Sequence, residues 1–174
     1  MLNNANAMEI DEIKNNDGVD AIMEVGLPGG YGFYGVADIL SGEANPSGHL
    51  TDTYAVTNAN SPAAQNFGNY EWTNADPSVN INAEEVEAED IYTGYKYYET
   101  RYSDTVLGQG NADATVGIST GKAWDYDDEV SYPFGYGLSY TTFEQTLKSV
   151  DVDLSDRTVT AEVEVKNTGD VAGK

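Results

Sequence analysis

The sequence predicts an α/β body with long loops, followed by the first strands of a β-sandwich that it does not complete. The β-branched apolar run Val19-Asp20-Ala21-Ile22-Met23-Glu24-Val25 is followed by a glycine-rich turn and then by apolar residues in helical rhythm, the strand, loop and helix order of an α/β unit. Near the other end Val159, Ala161, Val163 and Val165 alternate with Thr160, Glu162, Glu164 and Lys166, the period of a half-buried antiparallel strand. Between these regions, stretches 57–90 and 103–130 are polar and aperiodic and read as long surface loops.

Taken in order, Met8 to Ile13 reads as a short helical turn, and Val19 to Val25 as a buried strand ending at Gly26. Gly26-Leu27-Pro28-Gly29-Gly30-Tyr31-Gly32 reads as a turn, and Tyr34 to Ser41 as a helix carrying Val36, Ala37, Ile39 and Leu40. Asn45-Pro46-Ser47-Gly48 keeps the chain out of that helix, because proline cannot continue it, and Leu50 to Val56 looks extended. Ile91 to Tyr98 has strand-like or packed character through its aromatics. Ser149 to Leu154 is the expected partner of the alternating strand, and Asn167-Thr168-Gly169-Asp170 turns the chain. A sandwich takes about seven strands, and two leave an apolar face and bare edges. The expected division is therefore a partial α/β domain over 1–142 and a truncated β-domain over 143–174.

Thirty acidic residues against eight basic ones give a net charge of −22. Such a chain repels phosphate backbones and anionic lipid, so neither nucleic acid nor membrane is an expected partner. With no cysteine, disulfides, thiolate metal sites and cysteine nucleophiles are excluded. No apolar run reaches the roughly 18 residues that a spanning helix needs, and the N-terminus lacks the features of an export signal. Both leave the compartment open.

Several motifs invite specific chemistry. Gly30, Gly32 and Gly35 satisfy G-x-G-x-x-G, but the chain then runs to Asn45-Pro46-Ser47-Gly48 rather than to a second strand ending in an acid, and Asp52 sits in a polar stretch. Nucleotide binding through these glycines stays a weaker alternative to a tight turn, and no cofactor is expected. Gly117-Ile118-Ser119-Thr120-Gly121 matches a nucleophile elbow, yet His49, the one histidine, precedes Ser119, against the order that such hydrolases need. Asp125-Tyr126-Asp127-Asp128-Glu129 resembles half of a calcium loop, but Val130 and Tyr136 stand where glycine and glutamate belong, so a solvated acidic loop is expected and no metal. The 13 tyrosines, 2 tryptophans and 4 phenylalanines suit the C–H faces of sugars as well as a core. Tyr70 and Trp72, in the first long loop, are the candidate sugar contacts.

Four segments together carry a family resemblance. Gly26-Leu27-Pro28-Gly29 with Gly35 to Gly42 and Asn45-Pro46-Ser47-Gly48-His49-Leu50, Glu89 to Tyr98, Pro133-Phe134-Gly135-Tyr136-Gly137-Leu138-Ser139-Tyr140 running on to Phe143, and Val163 to Gly169 with Gly173-Lys174 occur in the order found in family-3 glycoside hydrolases of the β-glucosidase type. His49 stands where that family commonly has Lys or Arg, and Asp90 where it commonly has Gly. The resemblance implies the distal part of an α/β sandwich domain followed by the start of a fibronectin-type-III-like domain.

It also implies a retaining glycosidase acting on β-glucosides or related β-linked sugars, with two carboxylates about 5–5.5 Å apart. In the family the nucleophile lies in a Ser-Asp-Trp context on a preceding barrel, and the acid/base glutamate in a Gly-Glu-Gly-like loop. Ser103-Asp104 and Ser155-Asp156 lack the tryptophan, and no such glycine-flanked glutamate occurs. No catalytic residue is therefore expected in this chain, which would buttress an active site built with the missing N-terminal barrel and be inactive and poorly stable alone. A stand-alone carbohydrate-binding or surface module is the alternative.

Overall fold

The computed structural model describes residues 1–68, 89–110 and 122–173. In chain order the elements are α1 (Asp11–Lys14), α2 (Gly29–Ser41), β1 (Tyr54–Ala55), a 3-10 turn (Asn58–Asn60), α3 (Pro62–Asn66), α4 (Tyr95–Thr105), α5 (Tyr126–Glu129), β2 (Val130–Tyr132), β3 (Phe143–Asp153) and β4 (Thr158–Asn167). They fall into two units, Met1–Gly26 with Leu50–Tyr136, and Leu27–His49 with Gly137–Lys174.

The first unit is built on a short antiparallel pair. Tyr54 faces Tyr132 and Ala55 faces Val130, so one step on β1 matches two on β2, a bulge that sharpens the local twist. Backbone bonds extend the pairing to either side: Val56 N–H donates to the Glu129 carbonyl (3.0 Å), Leu50 N–H to Tyr136 (2.8 Å) and Gly135 N–H to Leu50 (2.8 Å). Tyr136 N–H closes a turn on the Pro133 carbonyl at 3.1 Å, with Gly135 at φ 79° in its third position, where a type II turn needs glycine. Beside this pair α1 is fastened to β2, because Lys14 Nζ donates to the Ser131 carbonyl (2.9 Å) and Ser131 Oγ donates to Asp11 Oδ1 (2.8 Å).

Two expected elements of this unit differ. The Val19–Val25 strand contracts to one parallel bridge, Leu2 with Glu24. Parallel strands are held by neighbours, and among the described residues Leu2 alone pairs here. The aromatic run from Ile91 becomes helix from Tyr95 onward. Within 57–90 and 103–130, the 3-10 turn, α3, the end of α4 and α5 replace parts of the expected loops. Ser61 caps α3, its Oγ accepting from Ala64 N–H at 3.3 Å.

In the second unit α2 begins at Gly29 rather than near Tyr34. Pro28 occupies its N-cap position, where a fixed φ is preorganised for the first turn, and a Cβ on Gly32 would meet the Pro28 ring at 2.6 Å. The helix stops at Gly42, left-handed at φ 82°. Asn45 then gathers the unit: its Oδ1 accepts from Ser139 Oγ and Tyr140 N–H, both at 2.8 Å, and its Nδ2 donates to the Ala172 carbonyl at 3.1 Å. Tyr140 O–H returns to the Ile39 carbonyl at 2.8 Å.

β3 and β4 form an antiparallel ribbon whose register slips between Leu147 and Ser149. The slip decides which face is apolar. Without it Val150 and Val152 would point opposite to Phe143 and Leu147. With it Leu147 faces Val163, Val150 faces Ala161 and Val152 faces Val159, so the apolar side chains share one face and Glu144, Asp151, Glu162 and Glu164 the other. That apolar face is open, with Leu147 60% and Val159 69% exposed.

Gly94, just before α4, sits at φ 55° and ψ −134°, a region closed to side chains, and a Cβ there would stand 3.0 Å from Asp52 Oδ1. Gly94→Ala is expected to destabilise the first unit by about 1–3 kcal/mol, read as a lower denaturant midpoint in chemical unfolding followed by tyrosine and tryptophan fluorescence.

Candidate functional site

The richest chemistry lies along α4. Read at helical spacing, Tyr97, Tyr98 and Arg101 form one face, while Tyr95, Glu99 and Ser103 with Lys96, Thr100 and Asp104 form two adjacent i, i+4 rows on the other. Tyr97, Tyr98 and Arg101 are the buried residues of the helix. With Ala55, Trp124 and Val130 the two tyrosines make the core of this unit, and Tyr126 packs against it. Arg101 is buried against aromatic rings: its guanidinium carbon lies 4.8 Å from the centre of the Trp124 ring and 5.6 Å from that of Tyr97, and Nη1 donates to the Tyr97 hydroxyl oxygen at 3.0 Å. Such contacts compensate a desolvated cation.

The outer rows of α4 line an open groove of about 610 Å³, with Phe134 as its apolar wall. Tyr95 stacks on Phe134 with ring centres 4.2 Å apart and planes 19° from parallel. Glu99 is oriented by Tyr126, whose O–H donates to Oε1 at 2.8 Å, and Tyr126 is itself set edge-on against Tyr102 and Trp124. Burial, then the Glu99 bond and charge, push the Tyr126 hydroxyl above its ordinary value, so it stays a donor at neutral pH. The amphipathic spacing of 95–104 is the signal from which this groove could have been read. The β-propensity of tyrosine hides it.

The sequence-derived candidates scatter. Tyr70, Trp72 and the Gly117–Gly121 motif lie outside the described residues. Gly30, Gly32 and Gly35 stand within α2, not at the mouth of a strand-to-helix loop, which corrects the turn reading on which the nucleotide alternative rested. His49 Nδ1 lies 3.1 Å from the Ser47 carbonyl, an acceptor that places the proton on Nδ1. The acidic stretch 125–129 is consumed by α5: Asp125 Oδ1 accepts from Asp127 N–H at 3.0 Å, and Asn60 Nδ2 donates to Glu129 Oε2 at 3.1 Å. Among the described residues no three His, Asp or Glu side chains are placed to share a metal ion. Asp104 borders the groove, and Ser155-Asp156 forms the β3–β4 tip, where Asp153 Oδ1 accepts from both backbone amides.

Residues 1–140 match the family model for the glycosyl hydrolase family 3 C-terminal domain. The chain is 35% identical over 161 residues to thermostable β-glucosidase B of Acetivibrio thermocellus, covering 91% of this chain and 16% of that protein. It is 32% identical over 171 residues to β-glucosidase BoGH3A of Bacteroides ovatus, covering 97% and 18%. A solved β-glucosidase structure from Paenibacillus barengoltzii superposes with a TM-score of 0.53 at 34% identity, covering 79% of this chain and 11% of that one. The chain thus spans less than a fifth of these relatives.

Burial raises the Tyr98 hydroxyl above its ordinary value of 10.0, with the charges of Tyr97 and Glu129 adding to it, and the hydroxyl has no hydrogen-bond partner among the described residues. The unfolded chain releases this proton near 10.0 while the folded chain keeps it, so the associated stability is complete below that pH and is lost as pH rises beyond it. Tyr98→Phe is expected to be neutral or up to about 1 kcal/mol stabilising at pH 7, because it removes an unsatisfied buried group. It should also flatten the fall of melting temperature above pH 10, as measured by thermal scans in alkaline buffers.

Proposed function

The chain belongs to the family of glycosyl hydrolase family 3 C-terminal domains, and on that premise we propose that it is part of a retaining glycosidase hydrolysing O-glycosidic bonds of β-glucosides or related β-linked sugars. The observation that carries the reading is the single family match running through residues 1–140, which takes in the first two of the four ordered motifs and the third as far as Tyr140. Residues 1–142 act as the distal part of the α/β sandwich domain, giving structural support and a wall of the active site. Residues 143–174 open the fibronectin-type-III-like domain, and the exposed apolar face of β3–β4 supports this, since further strands of such a sandwich would cover it.

The partner on this reading is a barrel domain of the same polypeptide, which supplies the nucleophile, and the substrate is carbohydrate. The carboxylates of this chain support a non-catalytic role. Acid catalysis at neutral pH calls for a carboxyl pushed upward in an apolar site. Among the described residues no Asp or Glu is buried, and Asp153 is shifted downward, held there by hydrogen bonds from Ser155 and Asp156. A stand-alone sugar-binding sandwich is not favoured, because among the described residues β3 and β4 pair only with each other.

The purified 174-residue chain is expected to release no nitrophenol from 4-nitrophenyl β-glucoside. A polypeptide joining it to an upstream barrel and acid/base loop of the family is expected to turn that substrate over. Turnover by the chain alone at enzyme-like rates, or a barrel-bearing polypeptide inert on every aryl β-glycoside tried, would remove the reading.

A further inference from the structure

We propose that the groove on the outer face of α4 binds a neutral saccharide, one or two pyranose rings in extent. The groove comes from the geometry; only the choice of a β-linked glucose probe rests on the glycosidase reading above.

A pyranose ring has flat C–H faces and a rim of hydroxyls that each donate and accept. Its ligand site therefore needs an apolar plate beside fixed polar groups of both kinds. The α4 groove has this composition. Phe134, 45% exposed and backed by the stacked Tyr95 ring, is the plate. Along the helix Glu99 and Asp104 accept, Lys96 donates, and Thr100 and Ser103 do either. Glu99 is preorganised, since the Tyr126 bond uses one oxygen and leaves most of the carboxylate's acceptor capacity toward the groove. The volume, about 610 Å³, lies within the roughly 300–1,000 Å³ of small-molecule sites.

Other ligand classes fit less well. A metal ion would need a third carboxylate or histidine, which the described residues do not bring together, and would have to share the space with the Lys96 ammonium. A quaternary amine is held by aromatic faces arranged around it, whereas Tyr95 and Phe134 turn faces on each other. An anion would meet two carboxylates and a chain of net charge −22.

The test is a cellobiose titration of the 174-residue chain followed by two-dimensional amide NMR. Shifts are expected at the outer residues of α4 and at Phe134, saturating with a Kd on the order of millimolar. Ser103→Trp, which fills the groove without touching the core, should weaken binding at least about tenfold. Thr100→Arg is the second filling variant, read if the first disturbs the amide spectrum without sugar. Lys166→Ala on β4 is the control expected to bind as the parent does. Absence of saturable shifts, equal affinity in both filling variants, or an equal response to tetramethylammonium overturns the proposal. Groove binding and glycosidase turnover are separate readouts, so an active barrel-bearing polypeptide with an empty groove removes this inference alone. A sugar-binding chain without any active longer form removes only the glycosidase reading.

Discussion

The first unit depends on how Asp52 meets the start of α4. A helix leaves its first amides without partners, and no side chain of α4's own N-terminus caps it. Asp52 Oδ1, from the segment entering β1, accepts from Tyr95 N–H at 3.2 Å and from its neighbour Thr53 N–H at 2.8 Å. A carboxylate there also meets the positive end of the helix dipole. Because Thr53, Tyr54 and Ala55 are buried immediately afterwards, the position of the carboxylate is set by β1, and through it the rotation of α4. That rotation sends Tyr97, Tyr98 and Arg101 inward and leaves the Glu99 and Asp104 rows outward. Gly94 is the backbone condition for so close an approach.

In the second unit a single amide side chain does comparable work. Asn45 ties the exit of α2 to Ser139, Tyr140 and Ala172, three partners distant in sequence. Gly137 belongs to the same arrangement, since a Cβ there would meet the His49 ring at 2.9 Å. The β3–β4 ribbon is anchored at its base by Thr141 and Thr142, which bond to Asn167 and Thr168 at 2.7 Å each. Beyond that base it relies on its ladder and on one surface pair, Lys148 with Glu164 at 3.0 Å, which contributes little in water. A two-stranded ribbon with an open apolar face is marginal by itself. Covering that face is thus the main energetic gain left to the ribbon.

Some of this was legible in the sequence and some was not, for traceable reasons. β4 was readable because its alternation is uninterrupted from Val159 to Val165. Its partner was readable only in part, since the slip at Lys148 breaks the period of two and hides Phe143 and Leu147 from a strict alternation test. The helix α2 was visible from Val36 onward, but its first turns read as loop because glycine is a poor helix former and Pro28 works through φ, which leaves no mark on periodicity. In α4, tyrosine's preference for strands competed with the i, i+4 order of the charged residues, and packing against Trp124 decided for helix. The groove was missed with it, because Phe134 joins α4 only through the fold.

The distribution of acids shows what kind of part this chain can be. Several of them serve backbone ends and turns. Asp52 meets α4, Asp125 caps α5, Asp153 closes the β3–β4 tip, and Glu24 accepts from Gly26 N–H at 2.7 Å and Tyr54 O–H at 3.2 Å. In each of these the carboxyl oxygens act as acceptors. Glycoside cleavage needs the opposite for one member of its pair, a carboxyl desolvated enough to hold a proton beside another that stays charged. A chain of net charge −22 would pay heavily in repulsion to bury a carboxyl among its own acids. The proposed division, in which the pair stands on other segments and this one supplies caps, aromatic packing and a polar helix face, agrees with that electrostatic constraint.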